Sequence, residues 1–318
     1  MNFSSLKRGI VSLSLSVRFE RSGAIVIAAL AASAGCSVKK HAMQSLADSL
    51  STQLSASFAS DNDPELVRAA VPFSLKLIES LMAENPRDDG LLYSATKGFT
   101  QYAYAFLQQD ADEIEDRDRG QATALRQRAA KLYLRARDYG MQALEQHHSG
   151  FGSALKTNPA KAVEKLTLKE VPLIYWTGLS WAGALSASRD FTMLPQIPQF
   201  EALMDRALEL QSSFNDGALH NFFINFEMSS PTRKGDKAGR ARRHFEDAVA
   251  MSHGLLAGPY VNYAESVMVP AKNRAEFESL LKTALKIDVN QKPDDRLQNL
   301  IFQRRARWLL GRADRLFR

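Results

Sequence analysis

The residues Gly178-Leu179-Ser180-Trp181-Ala182 come near a nucleophile elbow, where a serine on a sharp strand-to-helix turn attacks an acyl carbon. Here Ala182 replaces the last glycine, and the flanking run VPLIYWTGLSWAGAL reads as uninterrupted helix, so the serine is expected to serve packing. His147 and His148 could ligate a metal, but neighbours on a helix point about 100° apart and share no face. They read as a solvated helix end. Neither His244 nor His253 is read with a carboxylate at ligand spacing, no HExxH occurs, and no glycine-rich phosphate loop follows a strand. Glu113 and Glu115 offer paired carboxylates, yet they lie in ADEIEDRDRG, which reads as a charged, solvated helix end. General acid–base catalysis needs groups that converge on one point, and nothing in the sequence makes any converge. The expectation is a protein that is not an enzyme and holds no metal or cofactor.

One reactive group remains, the thiol of Cys36, the single cysteine of the chain. It closes the run GAIVIAALAASAGC, which follows Lys7, Arg8, Arg18 and Arg21. The uncharged stretch is too short for a span of roughly 20 residues and fits the roughly 7–15 of a secretory h-region. Ser33-Ala34-Gly35 followed by Cys36 resembles a bacterial lipobox, although Leu is more usual where Ser33 stands. That resemblance implies a signal peptide over residues 1–35, cleavage, and a lipidated Cys36, with no thiol left for disulfides or catalysis. Several acyl chains, at about 0.8 kcal/mol per buried CH₂, would anchor the chain lastingly. The alternative is an ordinary signal peptide that ends by chance at a cysteine. By resemblance to enterobacterial lipoprotein sorting, Ser37 in place of Asp implies the outer rather than the inner membrane, with the domain facing the periplasm. The long leader containing Glu20 points to translation starting later, at Val11 or Val17.

Removing the leader lowers the formal charge from +6 to +3, which is no nucleic-acid footprint. About 280 residues remain, and a 45% apolar content supports a substantial core. Met43, Leu46, Leu50, Leu54 and Phe58 recur every three to four residues, so the segment 36–63 is expected to carry a first helix. Residues 64–318 read as one domain. Runs of alternating β-branched residues are missing, and clusters such as Asp61-Asn62-Asp63-Pro64, Glu84-Asn85-Pro86, Asn158-Pro159 and Ser230-Pro231 punctuate helices. The fold class is all-α.

A repeat lies within those helices. Ala129-Tyr133-Ala136, Phe200-Met204-Ala207, Ala241-Phe245-Ala248 and Phe277-Leu281-Ala284 share one spacing. It resembles the second helix of a tetratricopeptide repeat, where alanine admits the neighbouring helix and the large residue fills the gap. The first helices would be LLYSATKGFTQYAYAFL, PLIYWTGLSWAGAL, LHNFFINFE and YVNYAESVMV. The closing alanines lie 71, 41 and 36 residues apart, so the repeats are degenerate, and the first gap should hold a loop and a short extra helix. Stacked helix pairs form a solenoid with a concave binding face, although any antiparallel bundle could bury Ala and Phe at such spacing. PTRKGDKAGRARRHF reads as a surface loop entering a helix, and RRARWLLGRADRLFR as a capping helix. An acidic partner or anionic headgroups are the alternative for both.

The order of SLKLIESLMAENPRDDGLLYSATKGFTQYAYAFL, LYLRARDYGMQAL, VPLIYWTGLSWAGAL, HNFFINFE, GDKAGRARRHFEDAVAMSHGLLAGPYVNYAESV and AEFESLLKTAL resembles the TatT family. These are the T components of a subset of TRAP (tripartite ATP-independent periplasmic) transporters. The resemblance runs from about Pro64 to Leu285. It implies a periplasmic lipoprotein of degenerate tetratricopeptide-like helix pairs, assembled as a homotrimer, that associates with a TRAP substrate-binding protein. It also implies a cavity for a small, hydrophobic or amphipathic ligand. Groove candidates on the first helices are Tyr93, Lys97, Trp181, His220, Asn221, Tyr260 and Asn262, because aromatic faces beside amide or imidazole groups suit a ligand with an apolar body and a polar end. Phe99, Tyr102, Trp176, Phe222 and Phe223 read as core. The expected function is a non-catalytic scaffold that assists ligand uptake or transfer; the alternative is a general outer-membrane envelope-assembly scaffold.

Overall fold

The computed structural model describes residues 56–188 and 190–318. The expected signal peptide, Cys36 and the positions Met43, Leu46, Leu50 and Leu54 lie outside them. Every regular element among the described residues is helical. Residues 56–59 are helical, and the elements that follow begin with α1 (Pro64–Glu84) and α2 (Asp89–Tyr102), which continues through a π-helical segment (Ala103–Gln108) into α3 (Gln109–Ile114). Then come α4 (Arg119–His147), α5 (Phe151–Thr157), α6 (Pro159–Val163), α7 (Val171–Ser188) and α8 (Ile197–Leu210). The second half holds α9 (Ala218–Ser229), α10 (Lys237–Met251), and α11 (Ala257–Tyr263), which runs into a second π segment (Ala264–Met268). It ends with α12 (Arg274–Lys286), α13 (Arg296–Gly311) and α14 (Ala313–Leu316).

The Asp and Asn punctuation of the sequence becomes helix capping. Asp63, Asp88, Asp118, Asn158, Asp236 and Asn273 each accept a hydrogen bond from a backbone N–H in the first turn that follows. Each cap stabilises its helix by about 1 kcal/mol. Asn158 also ends α5, and Pro159 opens α6, so the insertion holds two short helices where one was expected.

The helix pairs are α2 with α4, α7 with α8, α9 with α10 and α11 with α12. Their second helices bury the alanine spacing: Ala129, Ala136, Phe200, Met204, Ala207, Ala241, Ala248, Phe277, Leu281 and Ala284 have almost no exposure. Phe245 is partly covered and stacks on Tyr263 at 4.5 Å. The result is a degenerate tetratricopeptide-like helix-pair solenoid. Gly140 of α4 sits where α4 crosses α7: a Cβ there would meet Thr177 Oγ1 at 2.1 Å.

The end of the solenoid turns back to its beginning. Tyr104 meets Phe302 with ring centroids 5.8 Å apart, and Arg296 donates to the Ser60 carbonyl at 2.6 Å. Between α3 and the C-terminal helices lies a belt of ion pairs. Arg304 binds Asp110 (2.8 Å) and Glu113 (2.7 Å), Arg305 binds Asp112 (3.1 Å), and Asp116 pairs with Arg312 and Arg315. Arg126 holds Asp112 and Glu115 at 2.9 and 2.6 Å, and Arg68 also pairs with Asp110. Of the acids read as a solvated helix end, Glu113 is therefore a partner of the C-terminal Arg304 and Glu115 a partner of Arg126 on α4. The terminal basic segment caps the solenoid, as expected, but by closing it. The other basic stretch is tied down similarly: Arg233 reaches Glu201 (2.7 Å) and Asp205 (2.6 Å), and Arg240 reaches Glu227 (2.7 Å).

Candidate functional site

Closure leaves a cavity of about 790 Å³ between α1, α2, α7, α9 and α13. That volume lies within the roughly 300–1,000 Å³ of small-molecule sites. Its walls are mainly apolar: Val67, Val71 and Leu75 from α1, Trp176 and Leu179 from α7, Phe222 and Phe226 from α9, and Ile301 and Phe302 from α13. Aromatic contacts stiffen them. Tyr175 meets Trp176 edge-on at 5.0 Å and Phe214 at 5.3 Å, and Phe222 stacks on Phe226 at 5.3 Å.

Polar groups interrupt this wall, among them two pairs at one-turn spacing. On α2, Tyr93 and Lys97 stand four residues apart and so share a face. Burial raises the Tyr93 phenol, against a hydrogen bond from Trp176, and pushes the Lys97 ammonium below its ordinary value. On α9, Asn221 and Asn225 repeat the same spacing. Asn262 Nδ2 donates to Asn221 Oδ1 at 2.9 Å, and Ser266 donates to Asn225. These bonds fix which face of each amide turns toward the cavity.

The turn before α9 forms part of the lining. Asn215, Asp216 and Gly217 all take positive φ (46°, 53° and 87°), which Asn and Asp tolerate better than most residues. Only glycine fits the third position, since a Cβ on Gly217 would lie 3.1 Å from the Ala248 backbone. Lys292 pairs with Asp216 across this turn and with Asp295 at 2.7 Å.

Of the groove candidates, Tyr93, Lys97, Asn221 and Asn262 line the cavity; Trp181, His220 and Tyr260 do not. Trp181 is buried, donates to Gln196 Oε1 at 2.9 Å and carries Arg137 over its ring at 5.3 Å. Tyr260 packs edge-on against Phe245 at 5.6 Å. Trp176 and Phe222, read as core, are wall residues instead. Helical phase explains the exchange. Trp181 is turned about 140° from Trp176, and His220 about 100° from Asn221, so one member of each pair must face away. The signal available in the sequence was the stripe Trp176, Leu179, Gly183, Ser186 along α7.

Two histidine clusters depart from expectation. His147 ends α4 and His148 leaves helical geometry at φ −135°, so the two need not diverge. Both reach the Glu170 Oε1, His148 Nε2 at 2.6 Å and His147 Nδ1 at 3.6 Å, and His147 Nε2 also meets Asp89 at 2.9 Å. The hydrogen bond to Asp89 raises the His147 pKa, against partial burial. His244 does have a carboxylate one turn on, Asp247, and both face His220. Burial lowers the pKa of both rings, that of His244 to about 4. Ser180 is buried and donates to the Thr177 carbonyl at 2.8 Å within α7, a packing role. No described helix is long and apolar enough to cross a membrane.

The model of the TAtT family, described as the TRAP transporter T-component, matches residues 60–317. An uncharacterized protein of Treponema pallidum (strain Nichols) is 29% identical over 303 residues, 89% of this chain and 94% of that protein. The match covers the closed solenoid from the residue that Arg296 grips to the last turn of the C-terminal cap: the chain belongs to the TRAP transporter T-component family.

Proposed function

We propose that the protein is a lipid-anchored, non-catalytic T-component that faces the periplasm from the outer membrane. It would hold a small amphipathic or hydrophobic ligand and pass it to a TRAP substrate-binding protein, working as a homotrimer. The observation that carries the reading is the cavity: about 790 Å³, apolar-walled, with a half-buried amine and a fixed pair of amides. An apolar ligand body would be desolvated by Trp176, Phe222 and Phe302, while a polar or anionic end would meet Lys97. The outward anchor is expected at Cys36. The family match favours this reading over a general envelope-assembly scaffold. So does the closure of the concave face by α13, because a scaffold for large partners needs that face open.

The test is cross-linked affinity capture of the full-length protein from native membranes, followed by mass spectrometry. A TRAP substrate-binding protein among the enriched partners supports the reading. Enrichment of envelope-assembly proteins alone removes it. Mass analysis of the amino terminus reports acylation at Cys36 independently.

A further inference from the structure

The strongest unassigned cluster lies outside the cavity, between the two helices of the third pair. His220 belongs to the first turn of α9, and His244 and Asp247 lie one turn apart on α10. His220 Nδ1 is 3.0 Å from His244 Nδ1 and 3.4 Å from an Asp247 carboxylate oxygen, and all three donor atoms fall within 4.8 Å of one another. Ligands around a tetrahedral ion with bonds of about 2.0–2.1 Å stand roughly 3.3 Å apart, so the observed separations need little adjustment.

We propose that His220, His244 and Asp247 form a binding site for a divalent transition-metal ion such as Zn²⁺, bridging α9 to α10. The donor chemistry selects the class. Two imidazole nitrogens and one carboxylate suit zinc and its neighbours, whereas calcium and magnesium require a shell of oxygens. The rings are also set in place. Phe223 stacks on His244 at 5.2 Å and 21°, and His220 is buried with an Nε2 that has no hydrogen-bond partner. The polar contacts of that ring therefore all run through Nδ1, toward His244 and Asp247. The Asp247 side chain is 54% exposed, so the third ligand lies at the surface and gives an ion a path from solvent. The site is distinct from the cavity, because on α9 His220 faces α10 while Asn221 and Asn225 face the lining. It does not depend on the transport reading.

The experiment uses the full-length protein in mild detergent, stripped with chelator and titrated with Zn²⁺ against a chromophoric chelator. Wild type should take up one Zn²⁺ per chain. His244→Gln should weaken binding at least about 100-fold, because changes beyond the ligands themselves already cost roughly 10–100-fold. Asp247→Asn should weaken it roughly tenfold or more on the same scale. Both positions are less enclosed than His220, and the metal-free thermal midpoints of the two variants check their folding. His148→Ala, which alters the other histidine cluster, should bind as wild type does. Absence of uptake by wild type would overturn the site, as would unchanged affinity in His244→Gln and Asp247→Asn, or loss in His148→Ala.

Discussion

Arg305 holds Glu265 through two parallel hydrogen bonds, Nε to Oε2 at 2.7 Å and Nη2 to Oε1 at 2.6 Å, while its third nitrogen reaches Asp112 at 3.1 Å. One guanidinium thus ties α13 to the π segment after α11 and to α3, elements about 190 residues apart in sequence for Arg305 and Asp112. Its side chain is only 13% exposed, and burial, which alone would lower its pKa, is outweighed by Glu265 and Asp112.

Arg305→Met should therefore destabilise the fold strongly. Breaking a desolvated pair from one side leaves the Glu265 carboxylate uncompensated, while Asp112 keeps Arg126, and costs about 3 kcal/mol, the low end of the range for a buried pair. For a domain of this size that lowers the thermal midpoint by roughly 10 °C. Adding Glu265→Gln should recover part of the loss, since it removes the stranded charge. A midpoint that is unchanged in Arg305→Met would mean that the ionic belt does not hold the solenoid closed.

The belt also marks where sequence reading stops. Period and spacing are local, so the second helices and their alanines were legible from residues three and four apart. That Ala207, Ala248 and Ala284 would be buried follows from those intervals alone. Ion pairs between Asp110 and Arg304, nearly two hundred residues apart, carry no local signal. A run of acids and a run of arginines look solvated when each is read by itself. The cavity was half legible for a related reason. Helix period says that Trp176 and Trp181 cannot share a face, but only the packed neighbours decide which one meets empty space and which one meets Gln196. The pairing of His244 with Asp247 was present in the sequence at a spacing of three; what made it a cluster was His220, delivered from another helix.

Lys97→Met should stabilise the protein near neutral pH and lose ligand. Burial lowers the folded pKa of Lys97 below the unfolded value of about 10.4, so the unfolded chain holds the proton more tightly. Stability contributed at this site therefore rises with pH through the window between the two pKa values. The advantage of Lys97→Met over wild type should be largest at pH 7 and shrink toward pH 10. Chemical denaturation at the two pH values measures it, and native mass spectrometry compares ligand retained in the cavity. A constant difference across that range would show that the amine is not held in a desolvated site.

Gly140→Ala sets two effects of opposite sign against each other. Replacing glycine inside a helix favours α4 by about 1 kcal/mol. The added Cβ would lie 2.1 Å from Thr177 Oγ1, 3.0 Å from Thr177 Cβ and 3.1 Å from Thr96 Cγ2, and both threonines are fully buried. Neither can swing aside easily, because Thr177 donates to the Leu173 carbonyl and Thr96 to the Leu92 carbonyl, each at 2.7 Å. Overpacking of this kind costs roughly 1–3 kcal/mol, so the clash should win and thermal denaturation should show a lower midpoint. Thr177→Ala removes the nearest atom and forfeits a hydrogen bond within its own helix and one buried methyl group. The double variant should then recover most of the loss. If Gly140→Ala is instead stabilising, α4 and α7 can part without penalty, and the close crossing is not what sets the stacking of the first two helix pairs.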